Sequence, residues 1–465
     1  MTTALEAFIA ALEPTARVRE SGKGRSIAIS RSNGPDFAAD YTWLDQLEGV
    51  GSDSAEHTDE EAVNLDSRYY YTPFLDTTYV QAPGSNSLTV KYVAARNVTA
   101  TAYLWEPGAW GQADSETASK VALGSGIYVY EAAFSGLDAD TIYKYTFTWT
   151  EGGSDEHTAV QTTRTWPEQE DIGDFSFIVY GDNRGDRNHE FREPHRDVVC
   201  LGIMNRGLLG DADYPPFILH VGDLVNDGGR AGQWIPHFFR PAGGLLGRVP
   251  VFPCIGNHEY NDDANATNYK TCFTLPNNER WYSFDYGKCH FICLDTNQAS
   301  YFDGDHDPQW EWLIESDPGA EDGDLPDAHQ AKVSGDIERI FVWFHQPPYS
   351  SGTHYGESQC RMIQQRLVPM FEDYDVDVAF SGHEHFYERA SKSGVQYIVT
   401  GGGGAPRRNA GSCPYEGTGA VQRALYAGTD RPGHYCVVAV NSQTGRVEFE
   451  AYTDDQERID HFTLK

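Results

Sequence analysis

Positive charge is what this chain has least of. Lys and Arg number 35 against 69 Asp and Glu in 465 residues, for a formal charge of −34. A field of that sign repels polyanions, which argues against nucleic-acid backbones and anionic membrane surfaces as bulk partners. Acidity with few lysines also suits a salty habitat. Long apolar runs are missing as well: no stretch of 18 apolar residues occurs, so no helical membrane span is expected. Cysteine is sparse, with eight residues at 200, 254, 272, 289, 293, 360, 413 and 436, too scattered for a disulfide scaffold in a chain this long. Cys254 and Cys293 fall inside apolar runs and read as buried thiols, while one or two bridges elsewhere stay open. The amino terminus, MTTALEAFIAALEPTARVRE, lacks a basic start and a signal-peptide core. It reads as a short amphipathic helix, or as part of a chain whose export signal has been removed.

Against these absences stand five apolar runs that each end in polar side chains able to bind a metal. FSFIVY leads to Asp182, FILHVG to Asp223, VPVFPCIG to Asn257 and His258, IFVWF to His345, and VDVAFSG to His383 and His385. Runs rich in Ile, Val and Phe and bounded by Gly read as buried strands. Open α/β sheets collect their sites at the carboxyl ends of strands. Two Asp, one Asn and three His at such ends imply one shared pocket of oxygen and imidazole donors with no thiolate. Each cluster alone has a plainer reading, since Asp commonly caps a helix and a lone His is usually structural. Five in series, with a His pair spaced i and i+2 and therefore on one side of an extended segment, are not explained that way.

The series GDNR, GDLVND, GNHE, HQPPY and GHEH resembles the calcineurin-like metallophosphoesterase superfamily. GHEHFYER, ERWYSFDYGKCHFICLDTN and YIVTGGGGAP resemble its purple acid phosphatase branch, over about residues 170 to 455. The resemblance implies two metal ions, with Asp223 bridging. Asp182, Asp223 and His385 would hold one ion, and Asp223, Asn257, His345 and His383 the other. It also implies that the ions turn bound water into the nucleophile for in-line attack on phosphorus, so that no Ser or Cys nucleophile is needed. His258 would face substrate as a phosphate contact or leaving-group acid. Glu259 either holds the other nitrogen of His258 and sets its tautomer, or caps a helix. Oxygen and imidazole donors admit Fe, Zn, Mn or Co as divalent or trivalent ions.

Departures from the family pattern are as informative. Purple acid phosphatases carry a Tyr three residues after the bridging Asp; this chain has Asn226, which implies a colourless protein. Other members of the superfamily have a His two residues after the first Asp, and here that place is Arg184. Asn226, Asp227 or water would then complete the first ion's shell. Arg184 reads either as a bidentate phosphate contact or as a salt bridge to Asp186 or Asp223. His354 lies in the Gly- and Ser-rich stretch SSGTHYGES, which reads as a loop over the pocket; the resemblance to plant-type purple acid phosphatases, which have a similar His-containing loop, implies a substrate contact, the plainer reading being a solvated loop histidine. Tyr387 and Arg389 read as packing beneath the site.

The expected architecture is an α/β catalytic domain over 167–465, with two packed β-sheets flanked by helices in a four-layer sandwich. An all-β sandwich similar to fibronectin type III precedes it over 67–166, and a helix with an acidic connection, SDSAEHTDEEA, occupies 1–66. In TIYKYTFTW, Tyr143, Tyr145, Phe147 and Trp149 share a face, and GLDADTIYKY resembles a tyrosine-corner segment with Tyr143 at the corner. QCRMIQQRLVPMFEDY places Ile363, Leu367, Met370 and Phe371 on one helical stripe that Pro369 interrupts. FDGDHD, with His306, reads as a solvated acidic loop. The leading functional expectation is a phosphomonoesterase acting on a small phosphorylated substrate. A phosphodiesterase is the first alternative, suggested by GDLVNDGG; a docking protein with a degenerate metal site is the alternative from another class. The resemblance favours a secreted or periplasmic location. Natural substrate and oligomeric state are not legible.

Overall fold

The computed structural model describes strands at 16–20 and 27–31 and then residues 77–465, apart from 186–194, 196–197, 205–214, 299–301, 303–306, 315–322, 412–414 and 416–417. Most of the expected amino-terminal helix, the acidic connection and His306 of the acidic loop lie outside the described residues. The last five residues of that expected helix, Ala16–Glu20, instead pair antiparallel with Ile27–Arg31. Pro14 lies just upstream, where a helix would have to continue, and proline removes a helical donor there.

Residues 77–164 form two small antiparallel sheets. One holds Thr77–Gln81, Ser87–Ala94, Ile127–Ser135 and Ser119–Gly124 in that order, and the other centres on Ile142–Glu151. Strict alternation buries Tyr143, Tyr145, Phe147 and Trp149 together, against Tyr92 and Tyr130 of the facing sheet. The Tyr143 hydroxyl accepts a hydrogen bond from the Asp138 amide at 3.0 Å, tying the strand to the turn before it. This unit packs on the rest of the chain: Tyr79 donates to the Cys272 carbonyl at 2.7 Å and Tyr145 to the Gly247 carbonyl at 2.9 Å. Val93, Ile127 and Val129 join the same apolar core as Phe239 and Leu245.

Two larger sheets follow. The first runs Val251–Pro253, Ile218–His220, Phe175–Tyr180, His434–Val440, Val447–Thr453, Arg458–Leu464, with the first three strands parallel. The second has seven strands, of which Cys289–Cys293, Arg339–Trp343, Val378–Ser381 and Val395–Thr400 are mutually parallel. Their inner faces meet through aromatic rings: Phe177 lies 5.3 Å from Phe291 and 5.2 Å from Phe341, both close to edge-on. Helices Pro308–Ile314 and Asp324–Ser334 and the segment 358–373 cover the outer face of the second sheet, burying Leu313, Leu325, Ile363, Leu367 and Phe371 on Ile292, Ile340 and Val342. In that segment the helix widens into a π turn at Ile363–Leu367 just ahead of Pro369, so the missing proline N–H is absorbed by a register change. Parallel strands in both sheets send their carboxyl ends to one edge, where the polar clusters gather.

Candidate metal centre

Each cluster residue sits one or a few positions beyond the last paired residue of its strand. Three of them, Asp182, Asp223 and His383, have left-handed backbones with φ of +54°, +57° and +69°. For residues with a Cβ this conformation costs about 1–3 kcal/mol each and persists where the surroundings demand it. Here the demand is close approach. The Asp182 amide donates to the Gly222 carbonyl at 2.9 Å and the Arg184 amide to the Asp223 carbonyl at 3.1 Å, stitching the first two strand ends together. A Cβ on Gly382 would lie 2.1 Å from Asp182 Oδ2, and one on Gly256 would lie 2.3 Å from the Asp223 amide nitrogen. Only glycine fits beside either carboxylate.

Six donors form one connected group. Oxygens of Asp182 and Asp223 and a ring nitrogen of His345 lie within 4.8 Å of one another. His345 Nε2 is 3.2 Å from Asp223 Oδ1 and 3.0 Å from Asn257 Oδ1, and His383 Nδ1 is 3.2 Å from His345 Nε2. His385 Nε2 is 3.6 Å from Asp182 Oδ1, which also accepts the His383 amide at 2.9 Å. Backbone carbonyls hold the outer nitrogens of two rings: Val221 takes His345 Nδ1 at 2.8 Å and Pro406 takes His385 Nδ1 at 2.7 Å. Both rings therefore turn Nε2 inward, as imidazole ligands do when the remaining N–H is fixed.

The electrostatics of this group call for a cation. Burial, and then the neighbouring Asp223, push the Asp182 carboxyl well above its usual range. Burial also raises Asp223, but His345, His258 and Arg184 together outweigh it and hold that group low. Two carboxylates this close repel, and both carry charge comfortably only where positive charge reaches each of them. Asp182 Oδ2 is buried with no hydrogen-bond partner, an expensive condition unless a positive group meets it. Burial depresses the His345 imidazole to about 4 and His385 well below its ordinary value, which keeps both rings in the neutral form that coordinates metals.

The other expected site residues are brought to the same edge with altered partners. His258 Nδ1 meets the Asn226 carbonyl at 2.6 Å, and its Nε2 stands 3.8 Å from Asp223 Oδ2. Glu259 does not hold His258. Its carboxylate instead accepts the amides of Asp223 at 2.9 Å, Leu224 at 2.8 Å, Val225 at 3.2 Å and Gly256 at 2.8 Å, because the turns beyond two neighbouring strand ends leave those N–H groups without strand partners. Arg184 bridges Asn226 Oδ1 at 3.1 Å and Asp223 Oδ2 at 3.4 Å, the salt-bridge alternative; Asp186 lies outside the described residues. The Asn226 oxygen thus faces a guanidinium, and its amide nitrogen donates to Asp227 at 2.9 Å. His354 reaches the site, its ring centre 4.4 Å from that of His383.

Sequence reasoning missed several members. Asn183, between two expected site residues, donates to the carbonyls of Leu224 and His237 and meets His220 Nε2 at 2.7 Å. Glu384, between the paired histidines, accepts the His354 amide at 2.6 Å, and Arg408 lies 2.7 Å from His354 Nδ1. Glu357 contacts His383 Nε2 at 3.1 Å. Their only signal was position: polar residues inside or just beyond motifs whose other members had a role. Tyr387 and Arg389 both bond Asp460, on the far strand of the first sheet. All six described cysteines are unpaired and buried, while Cys200 and Cys413 lie outside the residues whose side chains are described.

Residues 206–387 match the calcineurin-like phosphoesterase family. Acid phosphatase type 7 of Mus musculus is 31% identical over 192 residues, covering 37% of this chain and 40% of that protein. Purple acid phosphatase 23 of Arabidopsis thaliana is 30% identical over 179 residues, covering 34% of this chain and 35% of that one. The matched region thus spans well under half the length of either relative. A purple acid phosphatase from yellow lupin (Lupinus luteus) seeds superposes with a TM-score of 0.62 over 84% of this chain and 74% of its own, at 17% identity, so the likeness is one of fold. Residues 206–387 thus resemble calcineurin-like phosphoesterases, and the chain as a whole shares the fold of a purple acid phosphatase.

Proposed function

We propose that this protein is a hydrolase of phosphate esters that works with two metal ions and prefers monoesters. The observation that carries this reading is the connected set of six donors around two crowded carboxylates, one with an unpartnered buried oxygen. Asp182, Asp223 and His385 would hold one ion; Asp223, with its second oxygen, would share in holding the other with Asn257, His345 and His383. The donor set suits Fe, Zn, Mn or Co. When bound, such a pair acidifies water and offsets charge on a phosphoryl group.

The chain's own side chains supply the rest. With its Nδ1 on the Asn226 carbonyl, His258 presents Nε2 beside Asp223 and can pass a proton to a leaving oxygen. Arg184, part-buried beside Asp223, carries the planar donors that match two phosphoryl oxygens. His354, its ring centre 4.4 Å from that of His383, is a further nitrogen donor at the site. The preference for monoesters rests on the relatives, which are acid phosphatases.

The test is hydrolysis of a nitrophenyl monoester against the bis-nitrophenyl diester under each metal, with metal content measured alongside. The monoester should be cleaved at least about 10-fold faster, and Asp223→Ala should lower the rate by roughly 1,000-fold, the scale of losing a dominant electrostatic element. Faster cleavage of the diester would replace this reading with a diesterase. Fewer than two ions per wild-type chain would remove the two-ion mechanism.

A further inference from the structure

The three histidines of the centre are not held alike. His345 and His385 have their outer nitrogens on backbone carbonyls of the sheet framework, Val221 and Pro406. His383 is reversed: its Nδ1 faces His345 Nε2 at 3.2 Å and its outer nitrogen, Nε2, meets the carboxylate of Glu357 at 3.1 Å. Glu357 belongs to no strand end. It closes the segment that follows His345 and carries His354, and it precedes the helix Ser358–Met362.

That segment has a purpose-built seat. The buried Glu388 carboxylate accepts the Ser351 amide at 2.7 Å and its hydroxyl at 2.5 Å, with Tyr415 donating to the same carboxylate at 2.7 Å. The buried Glu384 accepts the His354 amide at 2.6 Å, and Gly352 lies so close to it that a Cβ would sit 2.0 Å from the Glu384 carboxyl carbon. His383, Glu384, His385 and Glu388 therefore serve two tasks from one short stretch, two as ring donors and two as anchors of the segment above them.

We infer that Glu357 is the positioning residue for His383, so that the ion assigned to His383, His345 and Asn257 is held firmly only while the segment bearing His354 is seated. The physical reason is orientation. A carboxylate on the far nitrogen of a ligand histidine fixes the ring and raises its basicity, and loss of such a partner typically weakens metal binding by 10–100-fold. Here the partner sits on a covering segment, whereas the other two rings are fixed by the framework. The inference rests on the two-ion reading above.

The experiment is metal counting and titration on the full chain. Wild type, Glu357→Ala and Glu357→Gln are dialysed against a chelator gradient with zinc or manganese, and bound ions per chain are read by elemental analysis and calorimetry. Wild type should hold two ions. Glu357→Ala should hold one at its original affinity and the other about 10-fold to 100-fold more weakly. Glu357→Gln, which keeps an acceptor, should recover part of the loss. Unchanged melting of the metal-free Ala variant separates this from general damage. Two ions at unaltered affinity in Glu357→Ala would overturn the inference and leave the two-ion reading intact. Fewer than two ions in wild type would fail the reading itself. Three ions in wild type would also overturn the inference, by showing that His354, Glu357 and His383 hold an ion of their own.

Discussion

At the scale of single residues, this site is limited by space as much as by chemistry. Gly382 separates Ser381, the last paired residue of its strand, from His383, and the atom it lacks would occupy a place 2.1 Å from Asp182 Oδ2. Gly382→Ala should therefore displace Asp182 or His383 while leaving both sheets intact. A misplacement of about 1 Å costs on the order of 100-fold in rate, so the variant should keep its circular dichroism and lose bound metal together with roughly that much activity. Retention of both ions would show that the carboxylate can move aside. Glu259 teaches a related lesson. Its spacing within GNHE suggested a partner for His258, but three amide donors of the Asp223 turn and the amide of Gly256 in its own motif capture it first. A sequence motif names the residues of a site; which of them face substrate and which hold the backbone is a matter of competing acceptors.

At the scale of elements, a histidine helps to pin the second sheet to its outer helix. His290, in the strand Cys289–Cys293, lies 2.7 Å from Asp285 Oδ1 on the neighbouring strand and 3.0 Å from Asp324 Oδ2 at the start of the helix Asp324–Ser334. Burial alone would lower its pKa, but hydrogen bonds to Asp285 and Asp324 outweigh that and raise it to about 9. The folded value exceeds the unfolded one, so this group's contribution is complete below about pH 6.5 and is lost as pH rises through about 9. After discounting for the exposed Asp285, it should be on the order of 1–2 kcal/mol. Urea titrations between pH 6 and 10 should show stability falling over that window, and His290→Gln should flatten the fall. An equal slope in the variant would assign the loss to other groups. Elements were the part of the structure most readable in advance. Alternating and continuous apolar runs marked the sandwich strands and the sheet strands, because burial of one face or both dictates those patterns. The stretch Ala16–Glu20 was misread because its apolar spacing upstream suggested a helix, whereas strand pairing depends on a partner, Ile27–Arg31, that lies beyond any helical window.

At the scale of the whole molecule, a formal charge of −34 works against compactness. Self-repulsion among exposed carboxylates is screened within about 10 Å at 0.1 M salt and within about 3 Å at 1 M. The melting temperature should therefore rise by several degrees as monovalent salt increases from about 10 mM to 1 M. A flat or falling dependence would show that paired surface charges already cancel the repulsion. Charge pairing also occurs inside the molecule: Lys91 is buried where the small sandwich meets the larger sheets and lies 2.9 Å from Glu131.

The sequence by itself determined the strands, the glycines at their ends and the identity of the donor side chains, because each depends on patterns a few residues long. It also carried the family likeness. Tertiary structure alone decided how those donors face one another. His345 and His385 turn Nε2 inward because the carbonyls of Val221 and Pro406 hold their other nitrogens, and His383 turns the other way because Glu357 reaches it. Those partners come from residues 124, 21 and 26 positions away along the chain. No local pattern encodes such meetings; they exist only once parallel strands from two sheets bring their carboxyl ends to the same edge.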